Sequence, residues 1–185
     1  MIEIIQILFL YLVFTITIFL PINIFSKNLY FKNFVSIDLA TFNLGINLSI
    51  LLFFSFLNYP IEIIQPALML IYLILFIFVY FKNSKILIKT FVGFIPIFLV
   101  FFILSFDVAN KLYLGWDAKF FYYIKSLYFF ENKTFINLTE FEAHRYHPHF
   151  GSYIWAFFRK LSIVDFEYTG RLFYVFMFSF SIFYL

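Results

Sequence analysis

The stretch IIQPALMLIYLILFIFVYF, residues 63–81, decides the fold that this sequence predicts. It contains no Asp, Glu, Lys or Arg. A helix needs about 20 consecutive, predominantly apolar residues to cross a hydrocarbon core of about 30 Å. A turn with the acidic residue Glu62 precedes the stretch, and a connector with lysines, residues 82–89, follows it. We therefore predict a membrane-spanning helix here.

The composition of the whole chain agrees with a membrane protein. Of its 185 residues, 64% are hydrophobic and 12% are charged, and the mean hydropathy is +0.97. Soluble domains have about 25% charged residues. The absence of cysteine excludes disulfides and thiolate metal sites. The net charge is only +3, and no basic run is typical of nucleic-acid binding, so we expect no nucleic-acid partner.

Four more segments have the composition of membrane spans: residues 4–25, 37–57, 90–106 and 171–185. The last is short for a crossing and stops in mid-pattern, so we expect the chain to be an N-terminal fragment of a longer polytopic protein. The prediction is an all-α membrane protein of about five transmembrane helices. Residues 1–106 hold the first four, residues 107–170 form an external loop, and residues 171–185 begin the fifth.

The short connectors predict the orientation of the chain. Residues 26–36 and 82–89 contain lysines and no acid, which is typical of cytoplasmic loops. The N-terminus, the Glu62 turn and the loop 107–170 then lie outside. We expect a multi-pass protein of the inner or plasma membrane whose functional loop is extracytoplasmic, in the periplasm.

Two segments of the loop, residues 116–130 and 148–161, repeat apolar side chains at helical spacing. Neither is apolar enough to span a bilayer. We predict two amphipathic helices that lie in the membrane interface, each with its apolar face in the acyl boundary. The segment between them is polar and reads as a loop.

Asp117 lies at the predicted start of the first interfacial helix. It suits a general base that deprotonates an acceptor hydroxyl at the level of the headgroups. It also suits an acid that complements the dipole at a helix N-terminus. Both interpretations stay open at this point.

A second group of candidates contains all three histidines of the chain; it consists of Glu140, Glu142, His144, Arg145, His147 and His149. These side chains suit a divalent metal, or they suit a phosphate, because Arg145 offers a planar fork of donors. The histidine spacing matches no established zinc signature, so we favour phosphate and keep a divalent metal as the alternative cofactor. An aromatic and basic interfacial belt would also explain the group.

Arg171 opens the last predicted span. An arginine there either extends its side chain to the interface or provides a second contact to phosphate at the rim of the same cavity. The chain has no glycine-rich phosphate loop, Ser-His-Asp pattern or nucleotide fingerprint. A soluble type of nucleotide enzyme is therefore disfavoured.

An ordered set of motifs resembles bacterial GT-C-type membrane glycosyltransferases. The motifs are GWDA at 115–118, an aromatic helix with a lysine, HPHFGSY at 147–153 and EYTGR at 167–171. They are most similar to the dolichyl-phosphate-mannose–protein mannosyltransferase-like and lipopolysaccharide-core-sugar-transferase-like group. The family usually carries its catalytic acid after the first span, whereas here the acid follows the fourth, and Asp117 has no acidic neighbour.

The resemblance implies an enzyme that transfers a sugar from a polyprenyl-phosphate donor to an extracytoplasmic glycan, lipid or protein, with inversion at the anomeric centre. It implies Asp117 as the catalytic base and Glu142 as a second acid. Cationic or hydrogen-bonding help to the phosphate is expected from the other candidates: Lys119, Arg145, His147, His149 and Arg171.

Other functions fit the same pattern. An O-antigen ligase or polymerase-like protein also pairs many spans with one large external loop. A transporter or flippase subunit predicts polar or broken helices at mid-membrane, for which Asn43, Asn47 and the Gly93/Pro96 pair are the signs. A membrane anchor without activity is the simplest alternative. Because ionisable residues concentrate in the loop and not in the spans, we favour chemistry at the interface.

Overall fold

Every element of the computed structural model is a helix, and the part of the chain that it describes contains no strand. The structure describes residues 1–25, 36–111, 113–116, 118–136 and 149–183. In chain order the elements are α1 (Ile2–Phe25), α2 (Ser36–Phe56), α3 (Ile61–Gly93), α4 (Ile95–Asn110), a π-helix (Ala118–Tyr123), α5 (Ile124–Phe130), α6 (Phe150–Lys160) and α7 (Tyr168–Ile182). The predicted all-α class is confirmed for these residues.

One helix among the described residues is long and apolar enough to cross a membrane. It is the part Ile61–Lys82 of α3, with 22 residues and a mean hydropathy of 2.4. Three other apolar helices are shorter: Ile2–Thr17, Leu44–Phe56 and Ile95–Asn110. The predicted span at 63–81 therefore has the length and composition that a crossing requires, and an arrangement of five spans stays a prediction.

The lysine connector predicted at 82–89 is helical, because α3 continues to Gly93. A single residue, Phe94, separates α3 from α4. Pro96 stands in the first turn of α4, where a missing backbone N–H costs no hydrogen bond. The Tyr11 hydroxyl donates to the carbonyl oxygen of Phe94 at 3.0 Å, which joins this break to α1.

Phe14 of α1 lies at the centre of the core and is fully buried. Its ring centroid lies between 5.0 and 6.1 Å from four other rings, those of Phe101, Phe158, Phe173 and Phe176. Each aromatic pair contributes about 0.5–1.5 kcal/mol beyond the area that it buries. These contacts join α1 to α4, α6 and α7.

Asn47 connects α2 to α1. Its amide donates to the carbonyl oxygen of Thr17 at 2.8 Å. Asn47 therefore makes a hydrogen bond between two helices. The side chain of Asn43 lies outside the described residues. Such polar contacts stabilise helix pairs where the surroundings offer little water.

The turn between α2 and α3 carries Asn58 with a φ of 61°, and the turn after α5 carries Asn132 with a φ of 65°. Asparagine tolerates this left-handed region better than other side chains with a Cβ. The Asn58 side-chain oxygen accepts the backbone N–H of Ile136 at 2.9 Å. The two turns therefore lie next to each other.

The position of α6 differs from the interfacial one predicted for residues 148–161. Every residue from 152 to 159 is buried, and α6 packs against both α5 and α7. The Phe158 ring stacks on Phe173 with centroids 4.5 Å apart, and the Gln65 amide donates to the Phe157 carbonyl at 2.6 Å. No face of α6 is left for lipid, because its neighbours cover all sides.

Small residues explain how α7 comes so close to α6. A Cβ added at Gly170 would overlap both the indole Cδ1 and the carbonyl oxygen of Trp155. The Tyr174 hydroxyl donates to the Gly151 carbonyl at 2.6 Å, one helical turn further along the contact. Glycines let helix backbones approach in this way.

We predict that Gly170→Ala destabilises the fold by at least about 1–3 kcal/mol, the usual cost of overpacking, because backbone atoms of Trp155 must move. Gly45→Ala is the matched control, since nothing lies within 4 Å of a Cβ at that helical position. Thermal unfolding of both variants in detergent micelles measures the difference. Equal stability of the two variants would contradict the close contact.

Candidate functional site

The predicted site residues divide into two groups. Asp117, Glu142, Arg145 and His147 lie outside the residues that the structure describes, so their roles stay predictions. The same holds for the other members of the group, Glu140 and His144. Lys119, His149 and Arg171 are described, and each has defined contacts.

Lys119 lies on an unusual element. The segment Ala118–Tyr123, which begins directly after Asp117 in the sequence, is a π-helix. Such turns are rare and occur frequently at functional sites. Lys119 is exposed, and its ammonium lies 5.8 Å from the centroid of the Phe120 ring. The sequence predicts an ordinary helix here, because a π-helix has no signature in apolar periodicity.

His149 precedes α6 and is half-buried. Its carbonyl oxygen accepts the N–H of Tyr153 at 3.0 Å, as expected for a residue that caps a helix. Its ring lies 6.4 Å from the ring of Phe135. These contacts fix His149 against the aromatic core at the start of α6.

Trp155 brings three of the motif-bearing segments together. It is 5% exposed, and its ring lies 5.9 Å from that of Tyr123 at the end of the π-helix. Its indole N–H points to the Glu167 carbonyl oxygen at 3.4 Å, and Gly170 lies against its ring. We call Tyr123, Trp155, Glu167 and Gly170 the Trp155 cluster. Trp155 lies in the segment predicted as an interfacial helix, residues 148–161, because the spacing of apolar residues does not distinguish an interfacial position from a core position.

Arg171 forms an ion pair with Glu167 across one turn at the start of α7. The Nη2–Oε2 distance is 2.9 Å, and the two side chains are 16% and 17% exposed. Glu167 Oε1 and Arg171 Nε are buried without a hydrogen-bond partner among the described residues. Burial raises the pKa of Glu167, although the nearby charges of Arg171 and Arg159 oppose this rise. The structure thus gives Arg171 a partner that the sequence did not predict.

Arg159 forms a second pair on the same side. Its Nε and Nη2 atoms donate to the two carboxylate oxygens of Asp165 at 2.7 and 3.1 Å. Its guanidinium carbon lies 4.3 Å from the centroid of the Phe130 ring. The positive charge of Arg159 also opposes the raised pKa of Glu167, so the two ion pairs act on each other.

Lys160 joins this region to the turn before α3. Its ammonium lies 3.8 Å from Glu62 and donates a short hydrogen bond to Asn132. Burial lowers the pKa of Lys160, and Glu62 opposes the change. Gln6 makes two hydrogen bonds to the backbone of Val164, at 2.9 and 3.0 Å. The start of α1, the start of α3 and the α6–α7 loop therefore lie together.

Lys125 of α5 is a buried cation that the sequence pattern did not single out. It is 1% exposed, and burial lowers its pKa. A lysine on the polar side of a predicted interfacial helix is expected to face water. Lys125 belongs to α5, which packs on α6.

The described residues contain no group of three metal-ligating side chains. Most of the predicted cluster between Glu140 and His149 lies outside them. A divalent metal at that cluster stays the alternative to phosphate.

We predict that Arg171→Met destabilises the protein by about 3 kcal/mol, the lower end of the range for breaking a buried pair, since both side chains keep some exposure. The loss arises because Glu167 is left charged and unpaired. The double variant Glu167→Gln/Arg171→Met should recover most of it. Asp107→Asn is the control, because Asp107 and its partner Lys111 are both exposed. Thermal unfolding in micelles provides the values, and a double variant no better than Arg171→Met would contradict the pairing.

A pH dependence follows from the raised pKa of Glu167. The folded protein then binds this proton more tightly than the unfolded chain. The carboxyl group therefore contributes most stability below its ordinary pKa, and the contribution decreases as the pH rises towards the raised value. We expect the stability of the wild type relative to Glu167→Gln to fall across that interval and to be constant above it. Unfolding midpoints of both proteins against pH test this, and a relative stability that rises would refute it.

Comparisons with protein-family models, with curated proteins and with solved structures found no match to this chain. A functional assignment therefore depends on the residues themselves.

Proposed function

We propose that the chain is part of a membrane glycosyltransferase of the GT-C type, which transfers a sugar from a polyprenyl-phosphate donor to an extracytoplasmic acceptor. Asp117 is the catalytic base in this proposal. Arg145, His147 and Lys119 contact the donor phosphate, with Glu142, His149 and Arg171 completing the binding region.

The observation that carries the proposal is the convergence at the Trp155 cluster. The motifs that resemble the family are far apart in the sequence. Trp155 contacts the end of the π-helix that follows Asp117, and it contacts the first turn of α7, which holds Glu167 and Arg171. It also belongs to α6, whose first turn contains most of the HPHFGSY motif. A shared cavity requires segments that lie together in this way.

The membrane placement has support of its own. Only 22% of the most apolar window of Ile61–Lys82 is buried, whereas the core helix of a soluble protein is mostly buried. Its exposed side chains include Leu70, Ile74 and Phe81. Exposure of apolar surface to water costs about 25 cal/mol per Å². A lipid environment removes this cost, and the multi-pass arrangement with an extracytoplasmic loop belongs to the same proposal.

The proposed reaction is a single displacement. Asp117 takes the proton of the acceptor hydroxyl as its oxygen bonds to the anomeric carbon. The bond between that carbon and the phosphate oxygen breaks, and the polyprenyl phosphate leaves with the electron pair. The anomeric centre is inverted. Cations near the leaving oxygen stabilise its charge, and they do so most strongly where water is excluded.

Arg171 contributes to this proposal from a fixed position. Its ion pair with Glu167 holds the guanidinium at the start of α7. We assign this guanidinium, which keeps 16% of its side chain exposed, to the donor phosphate. Glu167 is then a positioning residue.

We predict that Asp117→Asn lowers sugar transfer by a factor of about 10² to 10⁴, the usual contribution of a general base. Asp107→Asn is the control, because Asp107 is exposed and pairs with Lys111 at 2.8 Å. Transfer of radiolabelled sugar from polyprenyl phosphate is measured with full-length protein in membrane vesicles. Since the chain has no cysteine, single introduced cysteines report membrane topology in the same samples. Retained transfer by Asp117→Asn would rule out the assignment.

The phosphate contacts give a separate prediction. Arg145→Ala and His147→Ala should raise the KM for the donor several-fold and leave the KM for the acceptor unchanged, because only the donor carries the phosphate. Lys133→Ala is the control, since Lys133 is an exposed cation near the same loop. Steady-state kinetics with each substrate varied in turn separate the two constants. An effect on the acceptor alone would exclude a donor-phosphate role.

A further inference from the structure

One face of α4 is apolar and uncovered. Ile95, Leu99, Ile103 and Phe106 follow each other at steps of three or four residues, which places them on one side of the helix. They are between 43% and 67% exposed. The buried residues of α4 are Ile97, Phe101 and Ser105, and they face the bundle.

The chemistry of the exposed side chains changes where α4 ends. Asp107 and Lys111 form an exposed ion pair at the last turn. Beyond it lies a set of exposed aromatic residues with one lysine, which we call the aromatic–lysine patch: Tyr113, Trp116, Lys119, Phe120 and Tyr122. Tyr113 is 84% exposed and Trp116 is 64% exposed. Aromatic groups this large are seldom left in water without a partner.

We infer that the aromatic–lysine patch binds the headgroup layer of a lipid bilayer, while the apolar face of α4 lies in the adjoining acyl region. The inference rests on the membrane placement in the proposed function and not on sugar transfer. It assigns the interfacial contact to the segment before α5 and not to α6, which is buried.

Three observations favour lipid as the occupant. The patch follows the uncovered apolar face of α4 closely in the sequence, which suits a single bilayer as the occupant of both. Tryptophan and tyrosine are enriched at the boundary between hydrocarbon and water, because each ring has an apolar body and a polar edge. The exposed ammonium of Lys119 is complementary to anionic lipid headgroups, which attract a nearby lysine.

The Trp116 ring has a fixed orientation within the patch. Its centroid lies 5.4 Å from that of Phe120 and 5.3 Å from that of Phe121. These contacts hold the indole without burying it. The depth of Trp116 in the lipid then determines the depth of the whole π-helical segment, and thus the height of the proposed site above the hydrocarbon core.

The chain has only two tryptophans, and this allows a direct test. Trp116 is exposed and Trp155 is buried. The full 185-residue chain is reconstituted in vesicles of phosphatidylcholine and phosphatidylglycerol. The lipids carry bromine near the headgroup end of the acyl chain, bromine near its methyl end, or none. Trp116→Phe reports Trp155 alone, and subtraction from the wild type isolates Trp116. Trp155→Phe provides the same signal from a second variant.

We expect bromine near the headgroups to quench the Trp116 emission strongly and bromine near the methyl end to quench it less. The emission of Trp155 should change less than that of Trp116 in both kinds of vesicle. Lys119→Gln should weaken the dependence of this quenching on the phosphatidylglycerol fraction, and Lys133→Gln should leave it unchanged. Trp116 emission that bromine does not affect and that aqueous acrylamide quenches would overturn the inference. Quenching without sugar transfer leaves it standing and counts against the proposed function alone.

Discussion

The close approach of α6 and α7 at Gly170 and Trp155 is the constraint on which the rest of the structure depends. With no side chain at position 170, the backbone of α7 lies against the indole, and Phe158 can then stack on Phe173. The same close approach places the carbonyl oxygen of Glu167 where it accepts the indole N–H of Trp155. Packing and the position of the charged groups therefore have one origin. A side chain at position 170 would push α6 and α7 apart and disrupt all of these contacts at once.

Two ion pairs lie beside this contact, Glu167–Arg171 and Arg159–Asp165. They contribute more to the placement of charged groups than to stability. Desolvation of buried ions costs several kcal/mol, which their mutual attraction seldom exceeds by much. The pKa of Glu167 is raised in spite of its pair with Arg171, so the surroundings oppose its charged form. Apolar residues would fill the same volume at lower cost. The ion pairs instead hold the guanidinium groups of Arg159 and Arg171 in defined positions. Recognition of an anion requires donors held in this way.

Sequence patterns were most informative where one physical rule dominates. Apolar length predicted the helix at 63–81, and the Gly93/Pro96 pair marked the break around Phe94. They failed for α6, because a buried helix and an interfacial one share the same spacing of apolar residues. Arg159 and Lys160 lie in the last turn of α6, and both cations lie on the Phe130 ring. The π-helix depends on tertiary contacts that no local pattern encodes, whereas the i, i+4 spacing of Glu167 and Arg171 was a local sign of their pairing. Much of the predicted site, Asp117 included, lies outside the described residues.

The burial of α6 has a consequence for biogenesis. Its neighbours include α1, through Phe14 and Phe158, and α7, which is synthesised after it. During translation α6 is made before α7, so the side of α6 that packs on α7 stays uncovered until α7 is synthesised. The centre of the bundle therefore forms only after α7 is made. Until then the nascent chain exposes the apolar residues of α6 around Trp155. Assembly of the motif-bearing segments therefore waits for the synthesis of α7.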